Sequence, residues 1–256
     1  MDSYQTIQVR FEEPICHITF HRAEARNTIN ARLIEECNHA LKTYGPKTTV
    51  VVLEGSPEVF CFGADFQSMR DAAATGGSFE PEGPGPLYDL WLQLATGPFI
   101  TVAHVRGAAN AGGIGFVAAS DIVVADATAR FSLSEMLFGV LPACVLPFLI
   151  RRIGFQRANY LTLMTQPIGV EQAASWGLVD AFEPDSVTLL RKHLLRVRRL
   201  SKPAVARYKK YNGELAGFLK QWKGSALAAN VEAFSDKQNM EGIFRYVDTG
   251  KFPWEP

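Results

Sequence analysis

The residues whose types and spacing could do chemistry in this 256-residue chain lie in two glycine-marked turns, each between a strand-like run and a helix-like one. The stretch from Val102 to Asp121 reads VAHVRGAANAGGIGFVAASD: a strand, Gly107, then Ala111-Gly112-Gly113 opening a helix of small residues. A glycine pair at a helix start leaves backbone N–H groups without carbonyl partners, with the positive end of the helix dipole behind them, so a developing oxyanion could sit there. Close packing of strand on helix explains such a turn equally well. The second turn is Phe60-Cys61-Phe62-Gly63-Ala64-Asp65-Phe66. Ala64 could supply the other donor of a two-amide oxyanion hole, while Asp65 reads first as the cap of the next helix. Glu135, by residue type alone, reads as an exposed helix-cap glutamate. No GxxxxGK[ST] stretch exists, and Gly107 onward does not spell GxGxxG, which argues against nucleotide hydrolysis.

Such turns need strands before them and helices after them. Runs rich in β-branched residues at Thr6 to Phe11, Ile15 to Phe20, Thr49 to Leu53, Phe99 to Val105 and Ile122 to Ala125 predict strands. Asn30 is placed to cap a helix carrying Leu33, Ile34, Cys37 and Leu41, and Leu87 to Leu94 repeats that spacing. The alternation predicts an α/β fold. Beyond about residue 143 the strand signal fades, and 156–164, 170–176, 186–200 and 213–234 read as helices. Ala72 to Pro86, with Gly76-Gly77, Gly83-Pro84 and Gly85-Pro86, reads as a long surface loop of the kind that forms lids.

Lys plus Arg and Asp plus Glu both total 26, so the broad positive footprint of a nucleic-acid binder is missing. With 47% hydrophobic and 20% charged residues the composition is that of a folded globule. The longest apolar stretches, including Val50 to Leu53 and Ala143 to Ile150, fall short of the roughly 18 residues of a membrane span. The opening Met1-Asp2-Ser3-Tyr4-Gln5 does not resemble a targeting segment, so the cytoplasm is the expected location. Cys16, Cys37, Cys61 and Cys144 form no zinc-type pattern and read as buried thiols; no metal site is expected. Residues 191–210 carry nine Lys or Arg and no acid, a solvated helix face or a surface for an anionic phosphate or an acidic carrier protein. His104, on a strand, reads as a satisfied core histidine.

Taken together, the GADF segment, the G-x-x-x-A-G-G segment ending in Asp121, and Phe131-Ser132-Leu133-Ser134-Glu135 followed by Gly139 and Pro142 resemble the crotonase (enoyl-CoA hydratase/isomerase) superfamily. The resemblance implies a spiral of ββα turns over residues 1–195 and a C-terminal helical trimerisation region over 196–256, assembled as a homotrimer or hexamer. It places a thioester carbonyl between the amides of Ala64 and Gly112, and it makes His21 to Asn27, with Arg22 and Ala25, a CoA-contacting turn. Hydratases of the family carry two glutamates; here the matching positions are Gly115 and Glu135. One carboxylate can remove the α-proton and return it to a departing β-hydroxyl on the same face.

The runs Glu58 to Phe66, Pro86 to Trp91, Pro142 to Gly154 and Arg245 to Glu255 are similar to the PksH-like β-branching dehydratases of bacterial trans-acyltransferase polyketide pathways. That resemblance implies a 3-hydroxy-3-methylglutaryl group on the phosphopantetheine of an acyl carrier protein, or on CoA, dehydrated to 3-methylglutaconyl before a partner decarboxylase acts. It implies no other cofactor. Arg70 and Tyr88 become candidates for the distal carboxylate and Asn110 for the tertiary hydroxyl; surface charge, core packing and turn support are their structural alternatives. Asp65 joins them as a candidate substrate contact. Decarboxylation of the glutaconyl product, generic enoyl-CoA hydration or isomerisation, and a noncatalytic carrier-binding scaffold stand as alternative functions.

Overall fold

The computed structural model describes residues 4–75 and 83–256. Strands are β1 (Ile7–Glu12), β2 (Ile15–Phe20), β3 (Val50–Glu54), β4 (Val59–Cys61), β5 (Ile100–Val105), β6 (Ala108–Asn110), β7 (Ile122–Ala125), β8 (Arg130–Ser132), β9 (Ile168–Gly169) and β10 (Ala181–Phe182). Helices are α1 (Ala31–Tyr44), α2 (Phe66–Ala74), α3 (Gly85–Thr96), α4 (Gly112–Ala119), α5 (Leu146–Ile153), α6 (Phe155–Met164), α7 (Val170–Trp176), α8 (Ser186–Val197), α9 (Lys202–Leu215), α10 (Phe218–Gln221), α11 (Lys223–Ser235) and α12 (Lys237–Thr249).

One sheet runs β1-β2-β3-β5-β7-β10, parallel except for the β1–β2 hairpin, and a second runs β4-β6-β8-β9. Each turn of the chain gives one strand to each sheet: β3 then β4, β5 then β6, β7 then β8. Helices α2 and α4 follow the first two pairs. This is the expected ββα spiral. β3 and β5 are near-continuous apolar runs because both faces are covered. Val51, Leu53, Ala103 and Val105 enter the main core, which α1, α3 and α4 share. Val50, Val52, Ile100 and Val102 pack with Leu189, Leu190 and Val197 of α8.

Asn30 caps α1 as its spacing predicts, its Oδ1 accepting from Leu33 N–H at 2.9 Å. The single helix read over 213–234 is instead three. The chain leaves helical geometry at Ala216, and α10 ends at Trp222, whose backbone stays right-handed helical; the intervening α10 buries Leu219 completely. Strands β9 and β10, two residues each, lie where no strand was expected. The predicted lid over Ala72 to Pro86 begins inside α2 and ends inside α3, and residues 76–82 lie outside the described ones. All four cysteines are free and buried. His104 is a satisfied core histidine on the α8 side of the larger sheet, with Nδ1 2.9 Å from Glu54 and Nε2 2.8 Å from the Ser186 hydroxyl. Among the described residues no helix is long and apolar enough to cross a membrane.

The last helices fold back on the front of the spiral. Phe138, Val140, Ala233 and Ile243 form a separate apolar cluster joined by Phe66, Tyr246 and Phe252. That cluster makes one wall of the cavity described next.

Candidate functional site

A cavity of about 1530 Å³ opens beside the start of α4, and Ala64, Gly112 and Glu135 all line it. The two turns that sequence singled out meet there. Ile29 N–H donates to Gly63 C=O at 2.7 Å and Asp65 N–H to Ile29 C=O at 3.2 Å, so the residues flanking Ala64 face Ile29 and its own N–H faces the other way. Gly112 is the first residue of α4, and no helical carbonyl reaches its N–H. The segments touch: a Cβ built on Gly63 would stand 3.2 Å from Gly112 N. Gly63 itself has φ +90°, a conformation that favours glycine.

Ala111 precedes the second amide with φ 50° and ψ −123°, the first central position of a type II′ turn, usually given to glycine. Strain of this kind costs about 1 to 3 kcal/mol and needs a surrounding structure that enforces it. Here Ala111 N–H donates to Ser132 C=O at 3.0 Å. The Asn110 side chain is held at both ends, accepting from Ser132 Oγ at 2.7 Å and donating to Ser134 Oγ at 2.9 Å. Asn110 therefore supports the turn while lining the cavity.

Glu135 opens a short 3₁₀ turn ending at Phe138, and its Oε2 is closed off from solvent with no hydrogen-bond partner among the described residues. Burial pushes its carboxyl up to about 7, more than the backbone hydrogen bonds pull it down. A carboxyl poised there can both take and return a proton near neutrality. The exposed cap that residue type suggested is replaced by an acid facing the cavity.

Asp65 caps α2, accepting from Ser68 N–H at 3.0 Å, and its other oxygen pairs with Arg22 Nη2 at 2.7 Å. Burial works to raise this carboxyl, yet the bonds from Ser68 and Arg22 hold it below the usual range. Arg22 also donates to Thr28 C=O at 2.6 Å, so the turn bearing Ala25 is tied to the turn bearing Ala64. Arg22, Ala25 and Asp65 all line the cavity.

Two expected contacts go elsewhere. Tyr88 is fully buried, and its hydroxyl donates to Leu219 C=O at 2.6 Å because α3 turns that face into the core. Arg70 pairs with Asp248 of α12 at 3.3 Å, near the Phe244 ring. Neither lines the cavity. Trp91, three residues after Tyr88, does line it; the sequence marked it by the helical rhythm of α3 and within the Pro86 to Trp91 run, without giving it a role.

The family model described as enoyl-CoA hydratase/isomerase matches residues 10–256. The chain is 59% identical over 254 residues, 99% of its length and 98% of the relative's, to the bacillaene synthase dehydratase PksH of Bacillus subtilis. It is 30% identical over 274 residues to the mevalonyl-coenzyme A hydratase sidH of Aspergillus fumigatus, covering 100% of this chain and 98% of that one. The solved structure of a polyketide biosynthesis enoyl-CoA hydratase from Bacillus subtilis superposes with TM-score 0.95 at 59% identity, covering 98% and 100% of the two chains. An enoyl-CoA hydratase from Bacillus halodurans, 21% identical, shares the fold with TM-score 0.84 over 93% of this chain and 99% of that one.

Proposed function

The chain belongs to the enoyl-CoA hydratase/isomerase family, and from that membership we propose that it dehydrates a 3-hydroxy-3-methylglutaryl thioester, presented on an acyl carrier protein, to the 3-methylglutaconyl thioester. It is an enzyme of the hydratase/dehydratase class, and its likeness to a bacillaene synthase dehydratase supports a role in polyketide biosynthesis.

The observation that carries the reading is the Oε2 of Glu135, closed off from solvent and without a hydrogen-bond partner among the described residues, in the cavity that Ala64 and Gly112 also line. In the proposed reaction the Glu135 carboxylate takes the α-proton. The C–H electron pair moves into the enolate, and the two N–H groups meet the negative charge on the thioester oxygen. Removing one such donor typically costs about 3 to 4 kcal/mol of barrier. The enolate then expels the β-hydroxyl, which takes the proton from Glu135 and leaves as water, so the carboxylate is restored. The cavity exceeds the few hundred to about 1,000 Å³ of a typical small-ligand site, which suits an acyl group with its pantetheine arm.

The test is mass spectrometry of a carrier loaded with the hydroxymethylglutaryl group after incubation with the enzyme. The expected product is lighter by one water, and Glu135→Gln should abolish its formation while carrier binding persists. Full turnover by Glu135→Gln would remove this mechanism.

A further inference from the structure

We propose that the indole N–H of Trp91 is a substrate-contacting donor that holds the β-hydroxyl oxygen of the acyl chain. The inference rests on the reading of the substrate as a β-hydroxyacyl thioester.

Trp91 is 1% exposed, lines the cavity, and has an Nε1 that is shut off from solvent with no hydrogen-bond partner among the described residues. Buried indole N–H groups ordinarily find an acceptor, because leaving one unpaired forfeits the hydrogen bond it made to water. The ring is packed against two other aromatic rings. It stands edge-on to Phe116 and to Phe148, at 5.9 Å from each.

The ring's place is specific. A Cβ on Gly115 would fall 2.3 Å from Cζ2 and 2.5 Å from Cε2, the carbon bonded to Nε1. A Cβ on Gly112 would lie 3.9 Å from Cζ2. Gly112 and Gly115 are three residues apart on α4 and share one face. The benzo side of the indole, at Cζ2, Cε2 and Cη2, therefore covers Gly115 close to the oxyanion amide, with Nε1 one bond from Cε2, and fills the space where any side chain at 115 would reach. The β-carbon is two bonds from the carbonyl held at Gly112, whereas the distal carboxylate is two bonds farther still, so the β-oxygen is the group in reach.

Indole N–H is a neutral donor with no acceptor and does not titrate in the working range. It supplies a hydrogen bond that strengthens as the departing oxygen gains negative charge, and Glu135 remains the only proton carrier. A second carboxylate in that place would add a like charge beside Glu135.

The experiment measures equilibrium affinity in the Glu135→Gln protein, so that it does not depend on turnover. Pantetheine thioesters of 3-hydroxy-3-methylglutarate and of 3-methylglutarate, which lacks the hydroxyl, are titrated by calorimetry with and without Trp91→Phe. The expected result is a Kd about tenfold weaker for the hydroxylated ligand alone, the size of one hydrogen bond. Equal effects on both ligands, or none on either, would overturn the assignment. A second readout needs no substitution at 91: in protein with ¹⁵N-labelled indoles, one of the four tryptophan resonances should move downfield with the hydroxylated thioester only. Identical spectra with the two ligands would also overturn it. Failure of the wild-type enzyme to release water would instead refute the proposed reaction, while the hydroxyl-dependent affinity would still decide the role of Trp91.

Discussion

The backbone of Gly63 packs against the methyl group of Ala111: a Cβ added to Gly63 would lie 2.7 Å from the Cβ of Ala111. The contact joins the two turns whose amides we propose as the oxyanion site, and it leaves no room for even a methyl group at 63.

Gly63→Ala is therefore expected to push Ala111 and Gly112 away from Ala64, against a φ of +90° that alanine resists. Separating the donors should lower kcat by about 10² or more, as the loss of one oxyanion donor does. Steady-state kinetics with circular dichroism checks this: near-normal kcat in a folded variant would show that the two amides do not act together.

Glu135 gives a pH dependence with a definite sign. Its carboxyl sits at about 7 in the folded protein against an ordinary 4.5. The native state thus holds the proton more tightly than the unfolded chain, and stability falls as pH rises from about 4.5 through 7. At about 1.4 kcal/mol per pH unit the loss is on the order of 3 kcal/mol once the group is ionised. Glu135→Gln should melt higher than wild type at about pH 8 and show no such gain at about pH 4. Activity runs the other way, because the base must be ionised: kcat/KM should climb with a midpoint near 7. A flat profile from about pH 5 to 8 would separate Glu135 from the chemistry.

What could be read before the structure follows from where information sits in a chain. β3 (VVVLE) and β5 (ITVAHV) declare themselves because burial on both faces demands unbroken apolar runs. β6 (AAN) and β8 (RFS) carry no such pattern, since their pairing is decided by distant partners, yet they set Asn110 and Ser132 around the Ala111 turn. The turns at Ala64 and Gly112 were legible from their glycines and Glu135 from resemblance to a family, and geometry supplies what spacing could not: an unpartnered carboxyl oxygen and the close approach of the two turns. Tyr88 takes its core-packing alternative rather than the substrate contact, a choice helical rhythm cannot make because it does not say which polar tip finds a core carbonyl. Trp91 had a faint signal in Gly115, since glycine inside a helix costs about 1 kcal/mol and implies a close neighbour.

Tyr88 and Arg70 allow a test of the site's boundary by expected silence. The Tyr88 hydroxyl answers the Leu219 carbonyl inside the core, so Tyr88→Phe should destabilise the fold by about 1 to 3 kcal/mol by leaving that carbonyl unpaired. Arg70 and Asp248 are partly exposed, so Arg70→Ala should change stability by less than about 1 kcal/mol. Neither side chain borders the cavity, so both variants should keep kcat and KM within about twofold below their melting temperatures. Chemical denaturation paired with steady-state kinetics separates the two effects. A KM raised tenfold or more by Arg70→Ala, with stability unchanged, would mean that its guanidinium leaves Asp248 for the far carboxylate of the bound acyl chain, and the limits of the site would have to be redrawn to include α2.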